Sequence, residues 1–165
     1  MTTVGMKGGV FLSELGPASD VDAFFQSIRA FVSEPTTLGL DLLLDRLYRR
    51  YLTAEQLPRA AALMQHVEAR FASLSANVLH QVGLGKMTRL QAGHGTLADV
   101  FAPFFEAFRE CAESASETAA ACRDLPDFEY LPVRLIRSDE PWFSIDDDRP
   151  LAEYDRLEGE PFWKE

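Results

Sequence analysis

From Leu97 to Ala112 the apolar residues Leu97, Val100, Phe101, Phe104, Phe105, Phe108, Cys111 and Ala112 recur at helical spacing and share one face. Thr96 followed by Asp99 has the form of a helix start, and the Ala/Ser/Glu-rich stretch 112–121 extends the helix. Pro103 falls inside the pattern, so a kink or a true start is expected there. Four phenylalanines on one face cannot stay in water, so the rest of the chain has to supply covering layers. With 165 residues, the chain has room for one such layered domain, spanning 1–165, and a second is not expected.

Suitable covers are legible on both sides of this stripe. Residues 2–15 read as extended: Gly5, Gly8 and Gly9 break any helix, Val10 to Leu15 favours a strand, and Lys7-Gly8-Gly9 suits a hairpin turn. Gly16-Pro17 ends that unit. Ser19, with Asp20 and Asp22 behind it, reads as an N-cap, and Val21, Phe24, Phe25, Ile28 and Val32 form the stripe of a first helix stopped by Glu34-Pro35. A second helix is expected from about Leu38 to Tyr51, with Arg46, Arg49 and Arg50 in its last turns. Thr53 to Gln56 fits a capping box, and Pro58 puts the regular start of a third helix near Leu57; Ala60, Leu63, Met64, Val67, Phe71 and Leu74 are its buried face. Residues 75–95 are the least readable, with Val78 to Val82 open to either a short strand or a helical turn between loop glycines.

After Asp124-Leu125-Pro126, Tyr130 to Ile136 reads as a strand that Pro132 assigns to a sheet edge. Trp142 to Ile145 reads as another short strand, and Leu151, Tyr154 and Leu157 as a short helix. The expected class is therefore α+β: about four main helices with a small sheet formed by N-terminal and C-terminal strands. An all-α bundle with extended ends is the alternative.

Charge then narrows function. The net charge is −10, which disfavours direct nucleic-acid binding by phosphate neutralisation. No apolar run reaches membrane-span length, the start lacks a signal pattern, and two cysteines make no disulfide framework; these point to a cytoplasmic protein. The acid is uneven. Residues 1–125 carry 14 acids against 11 bases, whereas residues 126–165 carry 12 against 5. That last quarter is also aromatic, which argues for a packed segment showing its acids outward.

Chemical motifs are weak. Gly83-Leu84-Gly85-Lys86 is a fragment of a phosphate loop, but His80 and Met87 stand where Gly and Ser or Thr are needed. His66, His80 and His94 have no spacing that sets two ligands on one helix face. Cys111 reads as core, and Cys122 lies too far along the same helical region to bridge to it. Asp146-Asp147-Asp148 lacks the alternation, glycine turn and distal Glu of a calcium loop. No serine elbow occurs and no carboxylate pair stands out, so no enzyme, cofactor or metal is expected.

The remaining positive feature is a partner-binding face of acids and aromatics: Asp139, Glu140, Trp142, Asp146, Asp147, Asp148, Glu153, Tyr154, Asp155, Glu158 and Glu160. An acidic rim steers a basic protein partner, and aromatic anchors supply contact area. Several short runs carry a family resemblance. They are Phe24-Phe25, Asp45-Arg46-Leu47-Tyr48, Tyr51-Leu52-Thr53-Ala54-Glu55, Leu131-Pro132-Val133-Arg134-Leu135 and the closing Pro161-Phe162-Trp163. In these the chain resembles the cytoplasmic immunity proteins of bacterial contact-dependent inhibition and polymorphic toxin systems. The resemblance implies a small protein that binds and neutralises a cognate toxin domain, often a nuclease, by occluding its active site. Two other readings compete: an adaptor or secretion chaperone, or a homodimer, using the stripe of Phe101, Phe104, Phe105 and Phe108 as an exposed face; and a small hydrolase with an unrecognised acid–base pair.

Overall fold

The computed structural model describes residues 2–33, 39–81, 83, 95–125, 132–139 and 150–164. Strands β1 (Thr3–Gly8) and β2 (Phe11–Gly16) form the expected hairpin. Gly9 turns it at φ +58°, and a Cβ on Gly8 would stand 2.5 Å from the Cys111 carbonyl oxygen. Two adjacent glycines therefore let the hairpin lie directly on the long helix, where Ser114 Oγ accepts the Val10 N–H at 3.0 Å.

Helix α1 (Ala18–Phe31) starts after Pro17, and no side chain caps it. Ser19 is thus inside the helix, and Asp20 is buried in its first turn, where the helix dipole favours a negative group. The second expected helix is shorter and wider than its pattern implied. A π-helix runs over Leu42–Leu47, and the chain leaves helical geometry to form β3 (Tyr51–Leu52). The wide turn aligns residues five apart, which carries Leu42 with Leu47 and Leu43 with Tyr48 toward the core. Tyr51 and Leu52 instead pair with Arg134 and Val133.

Helix α2 (Leu57–Ala72) begins where Pro58 allows, with Gln56 Oε1 accepting the Thr53 N–H at 3.1 Å as half of a capping box. Val78–Gln81 is a helical turn, α3. The complete reciprocal box of Thr96 and Asp99 opens α4 (Leu97–Val100). Phe101 breaks the helix ahead of Pro103, and α5 (Ala102–Ala121) follows. Strand β4 is Val133–Ser138.

The sheet is antiparallel in the order β2-β1-β4-β3. The chain is therefore α+β and mainly helical, and the all-α alternative fails. Pro132 does not mark an edge: β4 is interior, between β1 and β3, and the proline immediately precedes it. Val4, Met6, Val133, Leu135 and Leu52 turn one face of the sheet to the main core. Arg134 and Ile136 alternate with them and are buried too, the Arg134 guanidinium lying 5.4 Å from the centre of the Tyr154 ring.

The core is built around Phe24. Its ring stacks on Phe104 at 5.0 Å and meets Phe25, Phe71, Phe101 and Phe105 edge-on between 5.4 and 6.2 Å. Phe101, Phe104, Phe105 and Phe108 are each at most 2% exposed. That stripe is interior, so it is not the exposed face that an adaptor or a homodimer would use; only Phe108 borders an open groove. Among the described residues, no helix is long and apolar enough to cross a membrane.

Candidate functional site

The acidic C-terminal quarter is the first surface to place. Residues 150–164 carry two short 3-10 turns, Leu151–Glu153 and Phe162–Lys164. Trp163 is the anchor. It is 2% exposed, packs on Phe25 and Tyr48, and its Nε1 donates to the Tyr48 carbonyl at 2.8 Å. Beside it, Lys164 Nζ reaches Glu160 at 2.6 Å, Asp22 at 3.4 Å and the Tyr48 hydroxyl at 3.4 Å. Burial opposes the charge on this ammonium, but the Glu160 hydrogen bond and the Asp22 carboxylate outweigh it and hold its pKa above the ordinary value. Burial also raises the Tyr48 phenol, with Asp22 adding to the effect.

A second clasp lies upstream. Arg50 donates to both oxygens of Asp155, and the Arg156 N–H donates to the Arg49 carbonyl at 3.3 Å. The hydrogen bond from Arg50 holds the Asp155 carboxyl below its usual range, and Arg50 is raised in return. The Arg156 guanidinium lies over the Phe162 ring, which meets Tyr154 edge-on at 5.5 Å.

These contacts sort the expected partner-binding residues. Tyr154 is 3% exposed, so its ring packs within the protein and is not an open anchor. Asp155 and Glu160 are held by Arg50 and Lys164, and Asp139 accepts a hydrogen bond from the Thr2 hydroxyl. Glu153 and Glu158 are exposed on the same segment. Glu140, Trp142, Asp146, Asp147 and Asp148 lie outside the described residues. So does the expected strand Trp142 to Ile145, and most of the glycine-lysine fragment that resembled a phosphate loop.

The second surface was not anticipated. A groove of about 710 Å³ runs between α2 and α5. Leu57, Met64, Phe108 and Ala112 form its floor. Its walls are small: Pro58, Ala61, Ala69 and Ala72. The polar groups lie at the rim, where Arg109 Nη1 meets Glu68 at 2.8 Å and ties the two helices together. Along the outer edge of α5 stand Glu106, Glu110, Glu113 and Glu117, all exposed. Their spacing of four, three and four residues makes one acidic row beside the groove. The signal was present in sequence as glutamates at helical spacing among alanines, but the groove needs two helices brought together and neither shows it alone.

Other candidate groups stay separate. Cys111 is buried, its thiol pushed up to about 12 mainly by burial, and its Sγ lies 3.4 Å from the Met6 carbonyl. His66 and His80 are exposed on different elements, and His66 sits 3.3 Å from the Ser33 carbonyl. Among the described residues no three His, Cys, Asp or Glu side chains converge as metal ligands. Comparison with protein-family models, with curated proteins and with solved structures finds no match.

Proposed function

We propose that this chain is an inhibitory binding protein of the immunity type, which neutralises a basic partner, a toxin domain of the nuclease class, by sitting over its working surface. One observation supports this reading most directly. The acidic C-terminal segment is fastened by Trp163 and by the Arg50–Asp155 clasp, while Glu153 and Glu158 are exposed. Acid on a fixed platform meets a rigid basic surface with less ordering cost than acid on a loose tail. On this reading the chain performs no chemistry, needs no cofactor or metal, and acts in the cytoplasm, where both of its cysteines remain thiols.

The test is co-expression with the product of each neighbouring gene, followed by size-exclusion chromatography. A stable one-to-one complex that suppresses the partner's toxicity is expected. Reversing the charge of Asp146, Asp147 and Asp148 together is expected to weaken that complex by about tenfold or more and to flatten its salt dependence. If neither neighbour forms a complex, the reading fails; if the triple reversal leaves affinity and salt response unchanged, these three aspartates are not part of the interface.

A further inference from the structure

We infer that the groove between α2 and α5 is a docking site for a basic amphipathic helix of a partner protein. The shape indicates a helix. The groove follows α2 from Leu57 to Ala72, sixteen residues, or about 24 Å at the rise of an α-helix. Its walls are Pro58 and three alanines, small enough to let a third helix approach closely, and its floor takes apolar side chains. A small-molecule site would carry a few polar groups converging inside; here Gln65, Glu68, Arg109, Glu113 and Ser116 stand at the rim.

Charge selects the occupant. The α5 side carries Glu106, Glu110, Glu113 and Glu117, of which Glu113 lines the groove, whereas α2 carries one acid, the groove-lining Glu68, and the exposed bases Arg59 and Arg70. A helix with lysines or arginines along one flank of its apolar face matches this one-sided rim, and the asymmetry sets which way round it lies. A second copy of the chain is a poor occupant, because an isologous pairing sets groove against groove and brings no projecting apolar helix to fill it. The Glu68–Arg109 pair crosses the groove mouth with both side chains well exposed, 39% and 61%. Exposed pairs of this kind contribute little, so a partner's cation readily takes Arg109's place on Glu68.

This surface shares no residue with the acidic C-terminal face, so the two proposals stand or fall separately. The probe is a pair of labelled amphipathic peptides of about 18 residues. Both carry Ala and Leu on one face; one carries Lys along the flank and the other Glu. Binding to the full chain is read by fluorescence anisotropy and mapped by amide chemical shifts. The Lys peptide is expected to bind more tightly than the Glu peptide by about tenfold or more, with shifts along α2 and α5. Ala69→Arg blocks the groove, and Glu106→Lys with Glu113→Lys reverses the rim. Each is expected to weaken the Lys peptide by about tenfold, while Arg109→Ala strengthens it. Reversal of Asp146, Asp147 and Asp148 leaves it unchanged. The inference is overturned if the two peptides bind alike, if the shifts fall on residues 150–164, or if both groove variants bind as the parent does. A concentration-dependent dimer that Ala69→Arg dissolves would also overturn it, in favour of a second copy.

Discussion

The phenylalanine core and the C-terminal clasp both bury aromatic rings, but they hold by different physics. Around Phe24 the ring contacts are all with other phenylalanines, drawn from α1, α2, α5 and the Phe101 break. Around Trp163 the ring contacts are fewer in kind, and polar bonds complete the attachment: the indole N–H to the Tyr48 carbonyl, Lys164 to Asp22 and Glu160, Arg50 to Asp155. The first region is indifferent to pH and salt and joins four parts of the chain. The second fastens one segment and responds to solution conditions. Global stability should therefore reside in the core, and local opening in the clasp.

Substitution at the centre of the core has the largest expected effect. Phe24→Ala empties a site that the surrounding rings cannot collapse into, and should lower unfolding free energy in urea by about 3–5 kcal/mol. Cys111, in the same buried cluster, should then react with thiol reagents at mildly alkaline pH, where the parent's thiol stays protected. Trp163→Ala should cost less, about 2 kcal/mol, because the segment it anchors can detach without opening the core. Amide exchange should quicken over residues 150–164, with Cys111 still unreactive. If Trp163→Ala exposes Cys111 as Phe24→Ala does, the two regions are one cooperative unit and the contrast fails.

The smallest effect is at the ionic clasp. Asp155→Asn should cost at most about 1 kcal/mol, since the pair is partly exposed to solvent. The folded pKa of Asp155 is depressed, so its contribution is full above the unfolded value and is lost as pH falls through the folded one. The gap between the parent and Asp155→Asn in thermal melts should therefore begin to close as pH falls below about 4 and vanish only below the depressed folded pKa. Lys164 has the opposite sign. Its raised pKa makes its contribution full below the unfolded lysine value and lost only as pH rises through the folded one. Between about pH 5 and pH 9 the clasp should be insensitive to pH. A change in residue 150–164 exchange inside that window would show that other titrating groups govern the segment.

Regular, local features were the legible ones. The α5 stripe, the Thr96–Asp99 box and the glycine turn of the hairpin depend on residues a few positions apart. Tyr51 continued an amphipathic pattern, yet it pairs with β4, as Leu52 does, because a strand some eighty residues later offers them backbone partners. Six residues are too few for an apolar pattern to separate a π-helix from an α-helix, so Leu42–Leu47 could not be distinguished. At the candidate site, composition counted the acids but could not say which had internal partners. Asp155 meets Arg50 across 105 positions of sequence, and Asp22 meets Lys164 across 142. The α2–α5 groove was invisible for the same reason.

One consequence of the strand order concerns synthesis. β1 is an interior strand whose second neighbour is β4, with Thr3 opposite Ser138 and Lys7 opposite Arg134. When the hairpin leaves the ribosome, one long edge of β1 has nothing to pair with until translation has passed Ser138. Phe24 and Phe25, meanwhile, await the phenylalanines of α5. Both surfaces stay uncovered until α5 and β4 have been made, so the partly synthesised chain exposes a strand edge and apolar rings of the kind that chaperones bind.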